Sequence, residues 1–211
     1  MKYYPIYLNI KDRPVLVVGA GEVAWQKIPA LLESKARVRV VSPQAVPEIE
    51  EAARANKLEW LRRPYASADL KDVSLVIAAT DDPELQKRVA AEARARRIWV
   101  NVVDVTPLCD FIAPAIVSRG DLQIAVSTGG ASPALAKFIR EKLEPLFGPE
   151  YAVLVEVLQR YRPEILKLPK MRRQAVWEAI INEDFLNLLK RDGTAAAETR
   201  IKEIIHGKSA V

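Results

Sequence analysis

The first residues of this 211-residue chain that could do chemistry form a glycine motif, Gly19-Ala20-Gly21-Glu22-Val23-Ala24, directly after a short apolar run. The spacing fits the G-x-G-x-x-G/A dinucleotide fingerprint, in which Gly19 would make the tight turn and Gly21 would let the backbone approach a pyrophosphate. Free N–H groups at the start of the following helix would bind that diphosphate. The motif therefore predicts a nucleotide cofactor, with a purely structural turn as the alternative.

The ribose-binding acid of the fingerprint is missing. About 20 residues after the glycines, where that acid usually stands, the sequence reads Val41-Ser42-Pro43-Gln44. Ser42 or its neighbouring backbone could hydrogen-bond a ribose hydroxyl instead. Arg37 and Arg39 could favour a 2′-phosphate, or they could be solvated strand residues. On the residues alone, NAD and NADP therefore both stay open.

Polar residues also follow two later apolar runs. Thr80 follows the fourth run and could contact the nicotinamide ribose, whereas Asp82 before Pro83 is typical of a helix cap. Asp104 follows the fifth run, in the region where parallel sheets bind their ligands. A carboxylate there could act as a general base, and a loop acid that makes turn hydrogen bonds is the alternative interpretation.

A second glycine loop, Ser127 to Pro133, joins a predicted strand to a predicted helix. Hydroxyls, flexible glycines and a helix N-terminus together favour anion binding. Two basic residues in the next two turns would add positive charge. The candidate anion-binding residues are Thr128, Gly129, Gly130, Ser132, Lys137 and Arg140. The alternative is a capped loop with solvated basic residues.

The chain has one cysteine, Cys109, and one histidine, His206. It therefore cannot build a disulfide framework or, without a second chain, a His/Cys metal cage. We interpret Cys109 as a packed small residue rather than a nucleophile, and His206 as a partner of a helix dipole rather than a catalytic group. No metal site is predicted.

Composition narrows the class of partner. The 32 Lys and Arg residues against 27 Asp and Glu residues give a net charge of +5, which favours anionic partners. No basic and aromatic reading surface indicates a nucleic-acid partner. No apolar run reaches the roughly 18 residues of a membrane span, and residues 1–13 lack the apolar stretch of a signal peptide. Together with the cysteine usage, this predicts a soluble, cytoplasmic protein.

Apolar runs that alternate with helical patterns position the motifs of the first half. This rhythm predicts an α/β fold with a Rossmann-like, doubly wound parallel sheet. Pro29 falls inside the first helix, which is expected to kink there or to be shorter. The predicted strands are Val15–Val18, Val38–Val41, Leu58–Leu61, Ser74–Ala79 and Ile98–Val103, and the predicted helices are Glu22–Ser34, Ala45–Asn56 and Pro83–Arg96.

The rhythm changes after Val103. Two further strands, Phe111–Val117 and Leu122–Val126, predict a small sheet extension, and nearly everything beyond Ser132 is helical. The domain boundary is expected near Ala113 and Pro114. The predicted tail helices are Pro133–Phe147, Tyr151–Arg160, Met171–Ile181, Phe185–Arg191 and Ala195–His206.

Taken together, these motifs resemble the siroheme synthase family, in its precorrin-2 dehydrogenase and sirohydrochlorin ferrochelatase part. The resemblance covers about residues 3–145, and the chain is similar to a stand-alone form without the fused methyltransferase of longer members. The matching runs are Pro5-Ile6-Tyr7, Val17 to Lys27, Ala78 to Asp82, Asn101 to Asp104, Phe111 to Ala115 and Ser127 to Pro133.

The resemblance implies an NAD-dependent oxidation of precorrin-2 to sirohydrochlorin and, in some relatives, insertion of Fe(II) to give siroheme. Asp104 falls on the family's essential acid, and Thr128 falls where relatives carry a serine implicated in tetrapyrrole binding or metal insertion. With the dinucleotide positions of the family, the cofactor-binding candidates are Gly19, Ala20, Gly21, Glu22, Val23, Ser42, Pro43, Gln44, Thr80 and Asn101.

The resemblance also implies a homodimer with three regions. Residues 1–113 would bind NAD, residues 114–147 would serve dimerisation and tetrapyrrole binding, and residues 148–211 would form a C-terminal helical domain. The alternative function, from another class, is a nucleotide-sensing regulatory module without catalysis.

Overall fold

The computed structural model of the protein describes residues 2–207. The chain divides into two compact units between Ala113 and Pro114, and each unit is described by itself. The outer limits of the predicted domains, residues 1 and 211, lie outside the described residues. Within residues 2–207, no helix is both long enough and apolar enough to cross a membrane.

The first unit contains a five-stranded parallel sheet. Its strands are β1 (Pro14–Val18), β2 (Arg37–Val41), β3 (Glu59–Leu61), β4 (Leu75–Ala78) and β5 (Trp99–Val102). They lie in the order β3-β2-β1-β4-β5. The chain adds β2 and β3 on one side of β1 and then β4 and β5 on the other, so a topological switch point lies between β1 and β4. Ligands of doubly wound folds bind at such a switch point. The predicted Rossmann-like sheet is confirmed.

Helices cover both faces of this sheet. They are α1 (Glu22–Glu33), α2 (Pro47–Arg54) and α3 (Pro83–Ala95). Because successive side chains of a strand point to opposite faces, β1 serves two cores: Val15 and Val17 pack with α1 and α2. Leu16 and Val18 pack with α3 on the other face. Burial on both faces explains why this strand is a continuous apolar run.

Pro29 does not end the first helix. The proline is exposed and α1 continues through it to Glu33, because the flanking Ile28 and Leu31 are buried in the core. The strands β1 and β2 each begin one residue earlier than predicted, and β3, β4, β5, α2 and α3 are one to four residues shorter than the sequence pattern predicts. Fraying at element ends is the least predictable part of such patterns.

The second unit begins with an antiparallel pair, β6 (Ala115–Arg119) and β7 (Leu122–Val126). The predicted strand Phe111–Val117 was wrong in its first four residues. Phe111 packs against the core of the first unit, and its carbonyl accepts a hydrogen bond from Asn101. Its apolar character therefore serves packing, and the strand begins only after Pro114.

Helices form the rest of the second unit: α4 (Pro133–Leu143), α5 (Glu150–Ile165), α6 (Lys170–Ile180) and α7 (Glu183–His206). A 3₁₀ turn, not more α-helix, follows α4. The helix α5 extends beyond its predicted end at Arg160 because Tyr161 and Ile165 are buried in the core of this unit. Non-helical angles at Gly193 break α7, at the junction between the two predicted tail segments.

Candidate functional site

Gly19 forms the turn between β1 and α1, and no other residue fits there. Its φ of +100° is a conformation that side chains disfavour. A Cβ at this position would lie 2.7 Å from the carbonyl carbon of Ala79 and even closer to its oxygen. The amide of Gly19 also donates to the Val41 carbonyl at 3.0 Å. The glycine thus packs the loop after β1 against the ends of β2 and β4.

Gly21 is different, because no neighbouring atom among the described residues requires a glycine there. It is the N-cap of α1 at φ −85°, and a Cβ on it would meet no atom of residues 2–207 within 4 Å. No side chain in this described part of the chain caps the helix end, and Val23 in its first turn is 41% exposed. Ala24, by contrast, is fully buried beneath. Open space above uncapped N–H groups is what a pyrophosphate would need.

The loop after β2 lies beside the glycine turn. Val46 donates its amide to the carbonyl of Ala20 at 2.9 Å. The Ser42 amide donates to Leu61, and its carbonyl accepts from the indole N–H of Trp60 at 3.0 Å. Pro43 and Gln44 between them are exposed. The structure therefore brings the predicted ribose loop to the same edge as the glycine motif.

The two strand arginines lie away from this edge. Arg37 begins β2, and Arg39 forms an ion pair with Glu59 at 2.7 Å. Both line a cavity of about 940 Å³ that also contains Pro14, Lys57 and Asp72, residues at the amino ends of the strands. This position gives no support to a 2′-phosphate contact by these arginines.

Thr80 and Asp82 follow β4. The Asp82 carboxylate accepts hydrogen bonds from the amides of Glu84 at 2.9 Å and Leu85 at 3.2 Å, so this residue caps α3 as predicted. The half-buried Thr80 accepts from the amide of Asp82 at 3.3 Å, and its carbonyl accepts from Gln86 at 2.6 Å. Its place beside Gly19 suits the predicted ribose contact, which stays a prediction.

Asp104 stands exposed at the turn that follows β5. Its φ of +62° lies in the left-handed region, which aspartate tolerates better than most residues. Backbone bonds hold both neighbours: Val103 donates to the Ala78 carbonyl at 2.9 Å, and Val105 donates to Val102 at 3.2 Å. The carboxylate therefore stands at the carboxyl edge of β4 and β5 on a defined turn, as a general base would have to.

Asn101 and Cys109 fasten the segment after this turn. The Asn101 amide group donates to the Phe111 carbonyl at 2.9 Å and reaches Cys109 Sγ at 3.5 Å. Cys109 Sγ accepts from the Val102 amide at 3.2 Å and donates to the Val102 carbonyl at 3.1 Å. Burial raises the pKa of the thiol, which fits a packed residue. The amide of Asn101 is thus engaged in loop structure, and its cofactor contact stays a prediction.

Asp110 lies along the outer side of the edge strand β5, and it was not singled out in the sequence analysis. Its carboxylate accepts from the Val100 amide at 3.2 Å and from Arg94 at 2.8 Å, and its own amide donates to the Val100 carbonyl at 2.8 Å. The only sequence signal was a lone acid eight residues after the end of an edge strand. Local patterns do not reveal such a contact.

In the second unit, the loop around Thr128 is closed by its own hydrogen bonds. The Thr128 hydroxyl donates to the carbonyl of Ser132 at 3.0 Å and accepts from the amide of that residue at 2.9 Å. Gly129 and Gly130 have φ values of +65° and +85°. Ser132 caps α4 by accepting from the Leu135 amide at 3.1 Å. The hydroxyl of Thr128 therefore shapes the loop, and tetrapyrrole binding there stays a prediction.

Acidic neighbours reduce the positive charge on α4. Arg140 contacts Glu144 at 2.7 Å and Glu141 at 3.2 Å, and Lys137 lies 3.8 Å from Glu141. These pairs are partly exposed, so their attraction is modest and a stronger anion could displace it. His206 lies 3.5 Å from Glu164 in the last turn of α7. Among residues 2–207, no three His, Cys, Asp or Glu side chains are grouped to hold a metal ion.

Three family models match the chain. Residues 6–115 match one described as "Putative NAD(P)-binding", residues 119–145 one described as "Sirohaem biosynthesis protein central", and residues 150–205 one described as "Sirohaem synthase dimerisation region". The first match covers all the site residues of the first unit, and the second covers the loop around Thr128.

Individual relatives agree with these models. The chain is 39% identical to siroheme synthase 1 of Serratia proteamaculans over 205 residues and 41% identical to the siroheme synthase of Neisseria meningitidis serogroup C over 203 residues. These alignments cover 96% and 95% of the chain, but only 43% and 42% of those relatives. The solved structure of SirC, a precorrin-2 dehydrogenase, matches 95% of the chain and 100% of its own, with 30% identity and a TM-score of 0.80.

Proposed function

The chain belongs to the siroheme synthase family, and from this premise we propose that it oxidises precorrin-2 to sirohydrochlorin with NAD as the hydride acceptor. The observation that supports this most is the match to the precorrin-2 dehydrogenase SirC, because it extends over that whole chain. Siroheme synthases are more than twice as long as the matched region, so only the part of their chemistry that this region could perform is proposed.

The first unit suits the cofactor. Gly19 closes the turn at the switch point between β1 and β4, and Gly21 leaves open space over the uncapped start of α1. We propose that the N–H groups of Glu22 and Val23 bind the pyrophosphate, that Ser42 to Gln44 lie along one ribose, and that Thr80 lies by the other. When bound, NAD supplies the carbon that accepts the hydride.

Asp104 would take the proton. The oxidation removes a hydride from one carbon of the tetrapyrrole, which passes to NAD, and a proton from another atom of the same conjugated system, so that a new double bond forms and a base must accept the proton. The position of Asp104 supports this role, since its exposed carboxylate lies at the carboxyl edge of β4 and β5, where the cofactor is proposed to bind. The proton then passes to water after product release.

The second unit would bind the carboxylates of the tetrapyrrole and a second copy of the chain. Thr128 to Ser132, with Lys137 and Arg140, would receive the substrate carboxylates in exchange for the weak contacts to Glu141 and Glu144. The region 150–205, which matches the dimerisation model, would form the homodimer.

Iron insertion is a separable second step. The relatives from Serratia and Neisseria are siroheme synthases by name, and insertion of Fe(II) into sirohydrochlorin needs a base for the two pyrrole protons. Asp104 is the candidate for that role too. The alternative of a regulatory nucleotide sensor has no support among the relatives named above, which are biosynthetic enzymes.

An anaerobic assay tests the proposal. Purified protein is mixed with NAD and precorrin-2, and the absorption spectra of NADH and sirohydrochlorin are followed. Asp104→Asn is expected to lower turnover about 100-fold or more while NAD affinity is kept. Asp72→Asn is the matched control, because Asp72 is also exposed with a left-handed φ of +61° but lies at the opposite edge. Saturable NAD binding without turnover would refute the proposed reaction.

Adding Fe(II) after sirohydrochlorin has formed tests the second step. Faster formation of siroheme than in a protein-free control, lost in Asp104→Asn, is expected if the chain also acts as a chelatase. Metal insertion at the uncatalysed rate would restrict the function to the dehydrogenase.

A further inference from the structure

Within residues 2–207, no strand pairs with the outer side of β5, and the segment Cys109 to Phe111 lies there instead. In the sheet order, β5 is the last strand, so the backbone groups of Val100 and Val102 that face away from β4 need other partners. Asp110 and Cys109 meet all four of these groups: the amide and carbonyl of Val100 and the amide and carbonyl of Val102. We call Asn101, Cys109 and Asp110 the edge latch.

Asp104 stands between the strand and its latch. The residues from Asp104 to Leu108 form a short loop whose two ends are fixed, one by β5 and the other by the latch. Within the loop, Leu108 donates to Val105 at 2.9 Å and Cys109 donates to Thr106 at 3.1 Å. Hydrogen bonds on both sides thus hold the turn at Asp104, whose φ is left-handed. A strained conformation persists only where the surroundings fix it in this way.

We infer that Asp110, itself held by Arg94, is a positioning residue for the Asp104 carboxylate. This inference rests on the proposed function. The Asp110 carboxylate is only 26% exposed and bridges the strand backbone to the Arg94 guanidinium on α3. Its loss would free the second end of the loop, so that the turn at Asp104 could relax toward an unstrained φ and move the carboxylate away from the reacting carbon.

A graded set of variants separates positioning from folding. Asp110→Ala removes both bonds of the carboxylate, whereas Asp110→Asn keeps an oxygen that can accept from Val100. Arg94→Gln removes the ion pair and leaves the bond to Val100 in place, so it gives an answer even if Asp110→Ala does not fold. Lys87→Gln is the matched control, because it breaks the exposed pair Lys87–Glu84 on the same helix without touching the latch.

The expected result is a loss in kcat with an unchanged KM for NAD. Asp110→Ala should lower kcat about 10- to 100-fold, since a displacement of about 1 Å at a reacting group has effects of that size. Asp110→Asn should recover part of the loss, and Lys87→Gln should match the unchanged chain. Equal kcat in Asp110→Ala, Arg94→Gln and the unchanged chain would overturn the inference.

Cys109 provides a readout that does not depend on activity. It is the only cysteine of the chain, so the rate of its reaction with a disulfide reagent under native conditions reports opening of the latch. That rate should rise about tenfold or more in Asp110→Ala and stay the same in Lys87→Gln. A lower kcat with an unchanged labelling rate would overturn the inference.

Failure of the inference differs from failure of the proposed function. If the unchanged chain turns over and Asp104→Asn does not, but Asp110→Ala is fully active, only the positioning role is refuted. If the unchanged chain binds NAD but does not turn over precorrin-2, the proposed function falls and the positioning role falls with it, whatever the labelling rates are.

Discussion

Replacing Gly19 by alanine is expected to destabilise the first unit and abolish NAD binding together. The φ of +100° is strained for any side chain, which costs about 1–3 kcal/mol. The new Cβ would also lie 2.7 Å from the Ala79 carbonyl carbon, so that backbone has to move. Overpacking of this kind costs about a further 1–3 kcal/mol. The free energy of unfolding should therefore fall by about 2–6 kcal/mol.

Gly21→Ala is the matched partner of this variant, because the same atom is added two residues away. Gly21 has a negative φ and open space around its missing Cβ. Stability should therefore change by less than about 1 kcal/mol, because alanine reduces the freedom of the unfolded chain but is a poorer N-cap than glycine. The methyl would stand where the pyrophosphate is proposed to lie. Loss of one or two hydrogen bonds to a charged group should weaken NAD binding about 10- to 100-fold.

Thermal unfolding and calorimetric titration with NAD measure the two effects separately. Gly19→Ala should lower Tm by about 4–24 °C, taking roughly 2–4 °C for each kcal/mol in a protein of this size. Gly21→Ala should keep Tm and lose affinity. Unaltered NAD affinity in a stable Gly21→Ala protein would refute the reasoning that places the pyrophosphate over the start of α1.

Three further changes test features outside the cofactor turn. Burial favours the neutral form of Glu92, but three side-chain hydrogen bonds outweigh it and lower its pKa to about 2. The carboxylate thus stabilises the fold above about pH 4.5, and this stabilisation is lost as the pH falls toward 2. Glu92→Gln should therefore lower the free energy of unfolding by about 1 kcal/mol at pH 7 and leave it unchanged at pH 2, as measured by urea unfolding. Lys35→Gly should raise the free energy of unfolding by about 0.5–1 kcal/mol, because Lys35 has a φ of +58°, a conformation that glycine adopts without strain. Lys57→Gly is the control, because Lys57 has no positive φ, and it should not raise stability. Thr128→Val should destabilise the second unit by about 1 kcal/mol, because it leaves both backbone groups of Ser132 without their hydroxyl partner, and Thr128→Ser should restore it.

Local signals predicted the frame of the first unit. A buried apolar run before Gly19 is a central strand because the sheet is covered on both faces, and Asp82 before Pro83 starts a helix because its carboxylate meets two free amides. The break at Gly193 was also foreseeable, since a glycine flanked by two helical patterns interrupts both. In each case the cause lies within a few residues of the effect.

Distant contacts decided the parts that the sequence did not reveal. The run from Phe111 reads as a strand, but Phe111 is held by packing and by Asn101, ten residues earlier. The predicted end of α5 is too early because burial of Ile165 against the other tail helices outweighs the local cost of Pro163. Asp110 has no motif at all, since its partners lie on a strand and a helix that only the fold brings near it.

The edge latch also limits how large this sheet can grow. An open parallel edge is a template on which any extended segment, from the same chain or from another, can add itself. Atoms of Cys109 and Asp110 already satisfy the outward backbone groups of Val100 and Val102 in β5, so a sixth strand would find no free partner on that side of the sheet. The strand at the other edge of the sheet, β3, has only three residues, which is too short to pair stably with another strand. We therefore expect that copies of this unit do not associate by pairing strands at the edges of this sheet, and that any assembly uses other surfaces of the chain.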